Sequence, residues 1–145
     1  MEEKHRSELK RINYFCSEME AVYHQAAIKL GVPDSVMMVL YAIYDLGDGC
    51  LLSDVCKNSG VSRQTINSAV RGLERDGILY LEPYNGKLKR LRLTEKGREY
   101  ADAVAGRLYR AEMDAFDTWS GDEIETYIRL MEKYKDCLKR QLEKM

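Results

Sequence analysis

Residues 53–94 read SDVCKNSGVSRQTINSAVRGLERDGILYLEPYNGKLKRLRLT, and this stretch decides the fold. It parses as a short helix, a turn, a second helix and a two-stranded hairpin. Ser53 is placed to cap the first helix over residues 54–57, and Ser59-Gly60-Val61 makes the turn. Ser62 opens the second helix, where its hydroxyl can accept a hydrogen bond from an orphan N–H of the first turn. Inside that helix Ile66, Ala69, Val70 and Leu73 recur at i, i+3, i+4 and i+7, an apolar stripe that must face a core. The opposite face carries Arg63, Gln64, Asn67, Ser68 and Arg71, with no carboxylate before Glu74. Arg63, Asn67 and Arg71 are four apart and line one exposed side. Arginine bonds guanine in bidentate fashion and glutamine or asparagine bonds adenine, so these residue types suit base edges. An ordinary solvated helix face has the same make-up, and the segment alone leaves both readings open.

The hairpin beyond the helix favours base contact. Asp76-Gly77 is a helix stop with glycine in the left-handed position. Residues 78–83 then form a strand, and Tyr84-Asn85-Gly86-Lys87 centres on Asn-Gly, a strong hairpin signal because both residues accept positive φ. The return strand, residues 88–93, ends at Thr94, which is placed to cap the next helix. A hairpin this small is not stable alone and must lean on the preceding helices. Its tip and return strand carry Lys87, Lys89, Arg90 and Arg92 and no acid. Such a strand repels itself unless something negative lies alongside, and a phosphate backbone would suit.

The bulk numbers fit a selective rather than a general polyanion binder. The 145 residues are one domain's worth, and the net charge is −1. Residues 53–98 nevertheless hold ten Lys/Arg against five acids, a local +5 that leaves −6 for the rest. A basic block in an acidic frame can dock one face on an anion while the other stays solvated. Cys16, Cys50, Cys56 and Cys137 show no CxxC spacing, and His5 and His24 are the only imidazoles, so neither a metal site nor a cofactor is expected. The charged N-terminus has no apolar signal region. No apolar run approaches the length of a membrane span. A cytoplasmic chain with reduced thiols is expected, with no membrane partner.

Outside the central block, residues 4–30 read as one long helix, with Ile12, Phe15, Met19, Val22, Ala26 and Leu30 recurring at three or four. Roughly 40 Å of helix is more than a compact monomer of this size can cover. After Gly31, Pro33-Asp34 starts a second helix with Val36, Met37, Leu40, Ile43 and Tyr44 expected inside. Cys50-Leu51-Leu52 is a short apolar segment suited to pairing with the hairpin. Beyond Thr94 a helix carries Tyr100, Val104, Leu108, Ala111 and Ala115 on one face. Ser120-Gly121-Asp122-Glu123 has the form of a capping box. The last helix aligns Ile124, Ile128, Met131, Leu138 and Leu142, with Tyr127 and Tyr134 beside them. The long terminal helices are most economically explained by packing on a second copy, in a two-fold dimer. An intramolecular three-helix bundle is the alternative.

This order of elements resembles the MarR family of winged helix-turn-helix transcriptional regulators. The resemblance is carried by Gly60-Val61-Ser62-Arg63-Gln64-Thr65, by residues 73–79 and by Leu91-Arg92-Leu93-Thr94-Glu95-Lys96-Gly97. It implies a mainly α (α+β) chain, 1–145 forming a single domain: dimerisation helices over 1–30 and 95–145, and a DNA-binding module over 33–94. It further implies a homodimer on double-stranded DNA at a pseudo-palindromic operator, acting as a repressor. Ser62, Arg63, Gln64, Thr65, Asn67, Ser68 and Arg71 would read the major groove. The family's wing tip is longer and carries an acid followed by an arginine, so here Lys87, Lys89, Arg90 and Arg92 point to phosphate contact rather than deep minor-groove insertion. Family members respond to small aromatic effectors where the dimer helices meet the winged module, and Tyr14, Tyr23, His24, Tyr41 and Tyr44 would line such a pocket here. Aromatics at that spacing serve equally as core. Some members sense oxidants through a cysteine on the first helix, where Cys16 sits, but the tyrosine partners expected for it are not recognisable, and a buried structural cysteine is the reading preferred here.

Two other function classes compete with this one. A winged-helix module could use its basic face to hold an acidic protein partner instead of DNA. An enzyme is disfavoured: the sequence has no Ser-His-Asp, Cys-His, phosphate-loop or HExxH arrangement, and both histidines lie in the first helix.

Overall fold

The computed structural model describes residues 3–145. They form two compact units, one running to Tyr109 and one from Arg110 onward. The first holds α1 (Arg6–Leu30), α2 (Asp34–Leu46), α3 (Leu52–Asn58), α4 (Arg63–Arg75), β1 (Leu79–Asn85), β2 (Leu88–Leu93) and α5 (Glu95–Ala101). A π-helical turn over Asp102–Gly106 leads into α6 (Arg107–Ala115), which straddles the boundary, and α7 (Gly121–Leu142) makes up most of the second unit. The architecture is mainly α with one small antiparallel sheet, a winged helix-turn-helix with long helices at both ends. Among the described residues no single helix is long and apolar enough to cross a membrane.

The core of the first unit gathers Val39, Leu40 and Ile43 of α2, Val55 of α3, Ile66 and Val70 of α4, and Leu79 and Leu91 of the hairpin. Burying each contributes roughly 1.5–3 kcal/mol relative to leaving it in water. The α4 stripe buries all four residues that its periodicity marks, Ile66, Ala69, Val70 and Leu73. On α2 the phase differs from expectation: Val39 is inside, whereas Tyr44 is exposed.

Local signals set most boundaries. The Ser62 hydroxyl accepts the Thr65 N–H at 3.1 Å, and Thr94 accepts that of Gly97 at 2.9 Å. Ser120 and Glu123 close a reciprocal capping box. Ser53, expected as a cap, is not one. Helix α3 starts two residues earlier, at Leu52, and Leu51 takes the cap position with no side-chain bond. The reason lies in the sheet. Leu51 bridges Arg90, the Gly49 N–H donates to the Leu91 carbonyl, and the Leu91 N–H donates to that of Cys50, both at 2.8 Å. Residues 49–51 are thus pinned against β2, with Leu51 extended, and the helix can begin only beyond them.

Two further differences concern geometry that periodicity does not encode. The hairpin turns on Gly86-Lys87, one residue past the expected Asn-Gly centre, because Asn85 pairs with Leu88. Only Gly86 of the loop has positive φ (60°), as in a type II′ turn with glycine first. A register shift between Pro83 and Asn85 absorbs the offset. The helix after Thr94 is not uniformly α: its π turn packs Val104, Ala105 and Gly106 inward, with Ala101 just before them.

Candidate nucleic-acid interface

Helix α4 presents the predicted polar face to solvent. Ser62, Arg63, Gln64, Thr65, Ser68 and Arg71 are exposed and Asn67 is half-buried, while the apolar stripe anchors the helix from behind. Not all of these groups are equally available. The Ser62 hydroxyl lies 2.8 Å from that of Thr65, so the two are tied up at the helix start. Arg71 donates to the Ser68 hydroxyl at 3.4 Å, a long bond that holds the guanidinium along the helix surface. Arg63 and Gln64 open the helix on this exposed side. The face can present cationic forks and an amide to an extended anionic surface.

The wing has two distinct sides. Leu79, Leu81, Leu91 and Leu93 share the side that packs on the helices, where Leu79, Leu91 and Leu93 are buried. The other side pairs Tyr80 with Arg92 and Glu82 with Arg90. Diagonally across it, the Arg92 Nε and Nη2 each donate to a Glu82 oxygen at 3.4 Å. The hydrogen bond and charge of that carboxylate raise the pKa of Arg92 further. Arg90 donates to the Gly49 carbonyl at 2.7 Å and lies 4.0 Å over the Tyr84 ring centroid. Of the four wing cations expected to meet phosphate, Arg90 and Arg92 are therefore engaged by the fold itself. Lys87 and Lys89 are exposed near the tip, and among the described residues no carboxylate engages either.

The five residues expected around an effector pocket do not form one group. Tyr14 is exposed and meets Phe15 edge-on at 5.5 Å. It lies nine residues from Tyr23, about 13 Å along the helix. The Glu18 carboxylate, hydrogen-bonded to it, raises the Tyr14 pKa. His24 Nδ1 pairs with the Asp34 carboxylate at 2.9 Å. Tyr23 and Tyr41 pack partly buried against the core. Tyr41 and Tyr44 do converge, on a residue that sequence reasoning missed: the Tyr109 ring sits 5.6 Å from the first and 5.4 Å from the second. The Tyr109 hydroxyl donates to Asp45 Oδ1 at 3.2 Å. Two shallow recesses, of about 480 and 340 Å³, lie along α7 and are lined by none of the five. Cys16, expected to be a buried structural cysteine, is instead exposed, because its side of α1 packs on nothing among the described residues. Burial, the largest cause, pushes the pKa of the half-buried Cys50 thiol up.

A capped polar helix standing over an apolar floor, followed by a hairpin tied to the preceding loop, defines the class: a winged helix-turn-helix protein. Residues 30–85 match the sequence model of the MarR family. The fold is shared over nearly the whole chain with a MarR family regulator from Neisseria meningitidis, at 15% identity, 97% coverage of each chain and a TM-score of 0.80. It is likewise similar to MepR of S. aureus, solved as a DNA complex (22% identity, 92% of this chain and 97% of that one, TM-score 0.65). A third similar structure is PcaV from Streptomyces coelicolor, solved with its natural ligand (21% identity, 86% and 91%, TM-score 0.63). No curated protein sequence matches. The resemblance to the MarR family thus rests on a sequence match over the winged module and on a fold shared along the rest of the chain.

Proposed function

We propose that the protein is a sequence-specific DNA-binding transcriptional regulator, a repressor that acts as a homodimer on a pseudo-palindromic operator. The observation that carries this reading is the exposed side of α4, free of carboxylates before Glu74, with Arg63, Gln64, Asn67 and Arg71 over a buried stripe, followed by the unengaged Lys87 and Lys89 of the wing. The MepR–DNA complex, on the same fold, supports it. Phosphate contacts would set register and the α4 side chains would choose bases.

The dimer rests on the terminal helices. On α1, Leu9, Ile12, Phe15, Met19 and Val22 are all about half exposed or more, and Ala27 is the one buried residue of that helix. On α7 no residue is buried, with Met131, Tyr134 and Leu142 each more than half exposed. Apolar surface of this extent on a single chain marks a face that another copy would cover. Two α4 helices about one DNA turn apart would then meet successive major grooves. Tyr41, Tyr44 and Tyr109 are the place on this chain for a small aromatic effector, and the ligand-bound PcaV structure supports such control.

Selection of bound sites from a random duplex library tests the reading in one experiment. The expected product is an inverted repeat with half-sites about 10–11 base pairs apart. Failure to retain any duplex at micromolar protein and moderate salt would discard it, in favour of a winged-helix module that holds an acidic protein.

A further inference from the structure

We propose that Arg90 is a positioning residue of the wing, acting on DNA through Lys87 and Lys89 rather than by touching phosphate itself; this rests on the DNA-binding reading above. The outer half of the hairpin is weakly held by its own ladder. Pro83 has no N–H to donate, and the register shift between Pro83 and Asn85 breaks the pairing just before the turn. The backbone bonds to the loop after α2 end at the Leu51–Arg90 bridge. Beyond that point the tip needs another support.

Arg90 supplies it from the last bridged position. One edge of its guanidinium donates to the Gly49 carbonyl at 2.7 Å, a short charge-assisted bond. Its carbon centre lies 4.0 Å from the centroid of the Tyr84 ring, three residues before Lys87. The loop after α2, the return strand and the ascending side of the tip are thereby joined through one side chain. Reaching outward to a phosphate would require Arg90 to give up both contacts. Lys87 and Lys89, exposed beside it, have no such contacts to lose. A tip fixed in advance spares the ordering cost that a loose one meets on binding.

The test compares full-length wild type with Arg90→Met, Arg90→Lys, Tyr84→Leu and Lys87→Ala, titrated with a selected duplex at several salt concentrations. Arg90→Met should weaken binding by roughly three- to tenfold through the restored freedom of the tip. The slope of log affinity against log salt, which counts phosphates contacted, should not change. Lys87→Ala should reduce that slope by about 0.9. Arg90→Lys, which keeps a donor for Gly49, should recover part of the loss. Tyr84→Leu should weaken binding with an unchanged slope, and it carries the comparison if Arg90→Met does not fold. On a Lys87→Ala/Lys89→Ala background, Arg90→Met should add no further loss, whereas a merely structural residue would keep its full effect. A slope reduced by about 0.9 in Arg90→Met, or an undiminished effect on the double-alanine background, would overturn the assignment while leaving the regulator reading intact. Wild type that binds no duplex at all would remove both.

Discussion

The carboxylate of Asp48 accepts the backbone N–H of Leu93 at 2.9 Å, forty-five positions along the chain. Its other oxygen lies 3.6 Å from Arg98 Nε. The loop after α2 therefore does for the end of β2 what a third strand would do, and it fixes where the wing leaves the helices. Leu93 is buried, so its N–H has little water to turn to. Asp48→Ala should cost about 1–3 kcal/mol, the penalty for an orphaned buried donor, while Asp48→Asn keeps an acceptor and should cost less. Urea unfolding of the two variants checks the order.

A second constraint sits where α5 begins. A methyl group on Gly97 would run into the backbone carbonyl of Ile78, the same oxygen that accepts the Thr94 N–H at 3.0 Å. Neither partner is a flexible side-chain end, so the strand and the helix would have to separate. Gly97→Ala should destabilise by about 3 kcal/mol or more. Gly72, inside α4, meets only the end of the Arg75 side chain at 3.7 Å, an ordinary contact. Gly72→Ala should be neutral to stabilising by up to about 1 kcal/mol, because alanine loses less freedom in a helix. Thermal melts that rank the two the other way would refute the packing argument.

What the sequence made legible was local. The cap at Ser62, the stripe from Ile66 to Leu73 and the capping box at Ser120 each lie within one or two turns, where spacing alone fixes the geometry. Long-range partners were not legible. Arg90 and Arg92 read as free cations because nothing in spacing shows that Gly49 and Glu82 will meet them. Tyr109 went unnoticed beside Tyr41 and Tyr44 because the intervening π turn offsets the helix from the α period used to read its face. Leu51 was recognisable as a pairing segment, yet its bridge moved the start of α3 and left Ser53 without a capping role.

Cys50 provides a check on burial near the wing anchor. Desolvation raises its pKa above the usual thiol value, the charges of Asp54 and Asp48 add to that, and its backbone hydrogen bond only partly opposes them. The thiolate is the reactive form, so a raised pKa means a smaller reactive fraction at about pH 8. Iodoacetamide should modify Cys50 more slowly than a free cysteine at that pH. Its rate should still be climbing at about pH 9, where that of an ordinary thiol begins to level. A Cys50 rate equal to that of free cysteine across this range would show the site to be open.

The dimer proposal turns on the α1 face. Phe15 is 60% exposed there, between Ile12 and Met19 along one side. Phe15→Glu would place a charge in the middle of whatever covers that side and should shift the protein toward monomer by sedimentation velocity. The fold of the single chain should hardly notice, since Phe15 belongs to no buried cluster. Unchanged sedimentation would move the dimer face away from the middle of α1.

Arg71 and Lys89 separate base reading from phosphate contact. Arg71 sits on the exposed side of α4, steadied by the Ser68 hydroxyl, and a guanidinium held that way can fork onto a guanine. Arg71→Ala should cost about 1–3 kcal/mol on the selected site and relax the preference at one position, with a smaller loss on scrambled duplex. Lys89 is exposed near the wing tip and carries no base-reading geometry. Its removal should weaken every sequence alike and lower the salt slope by about 0.9. Gel-shift titrations on matched and scrambled duplexes distinguish the two. Equal losses on both duplexes for Arg71→Ala would take it out of the base-reading set and leave Arg63, Gln64 and Asn67 to account for any specificity.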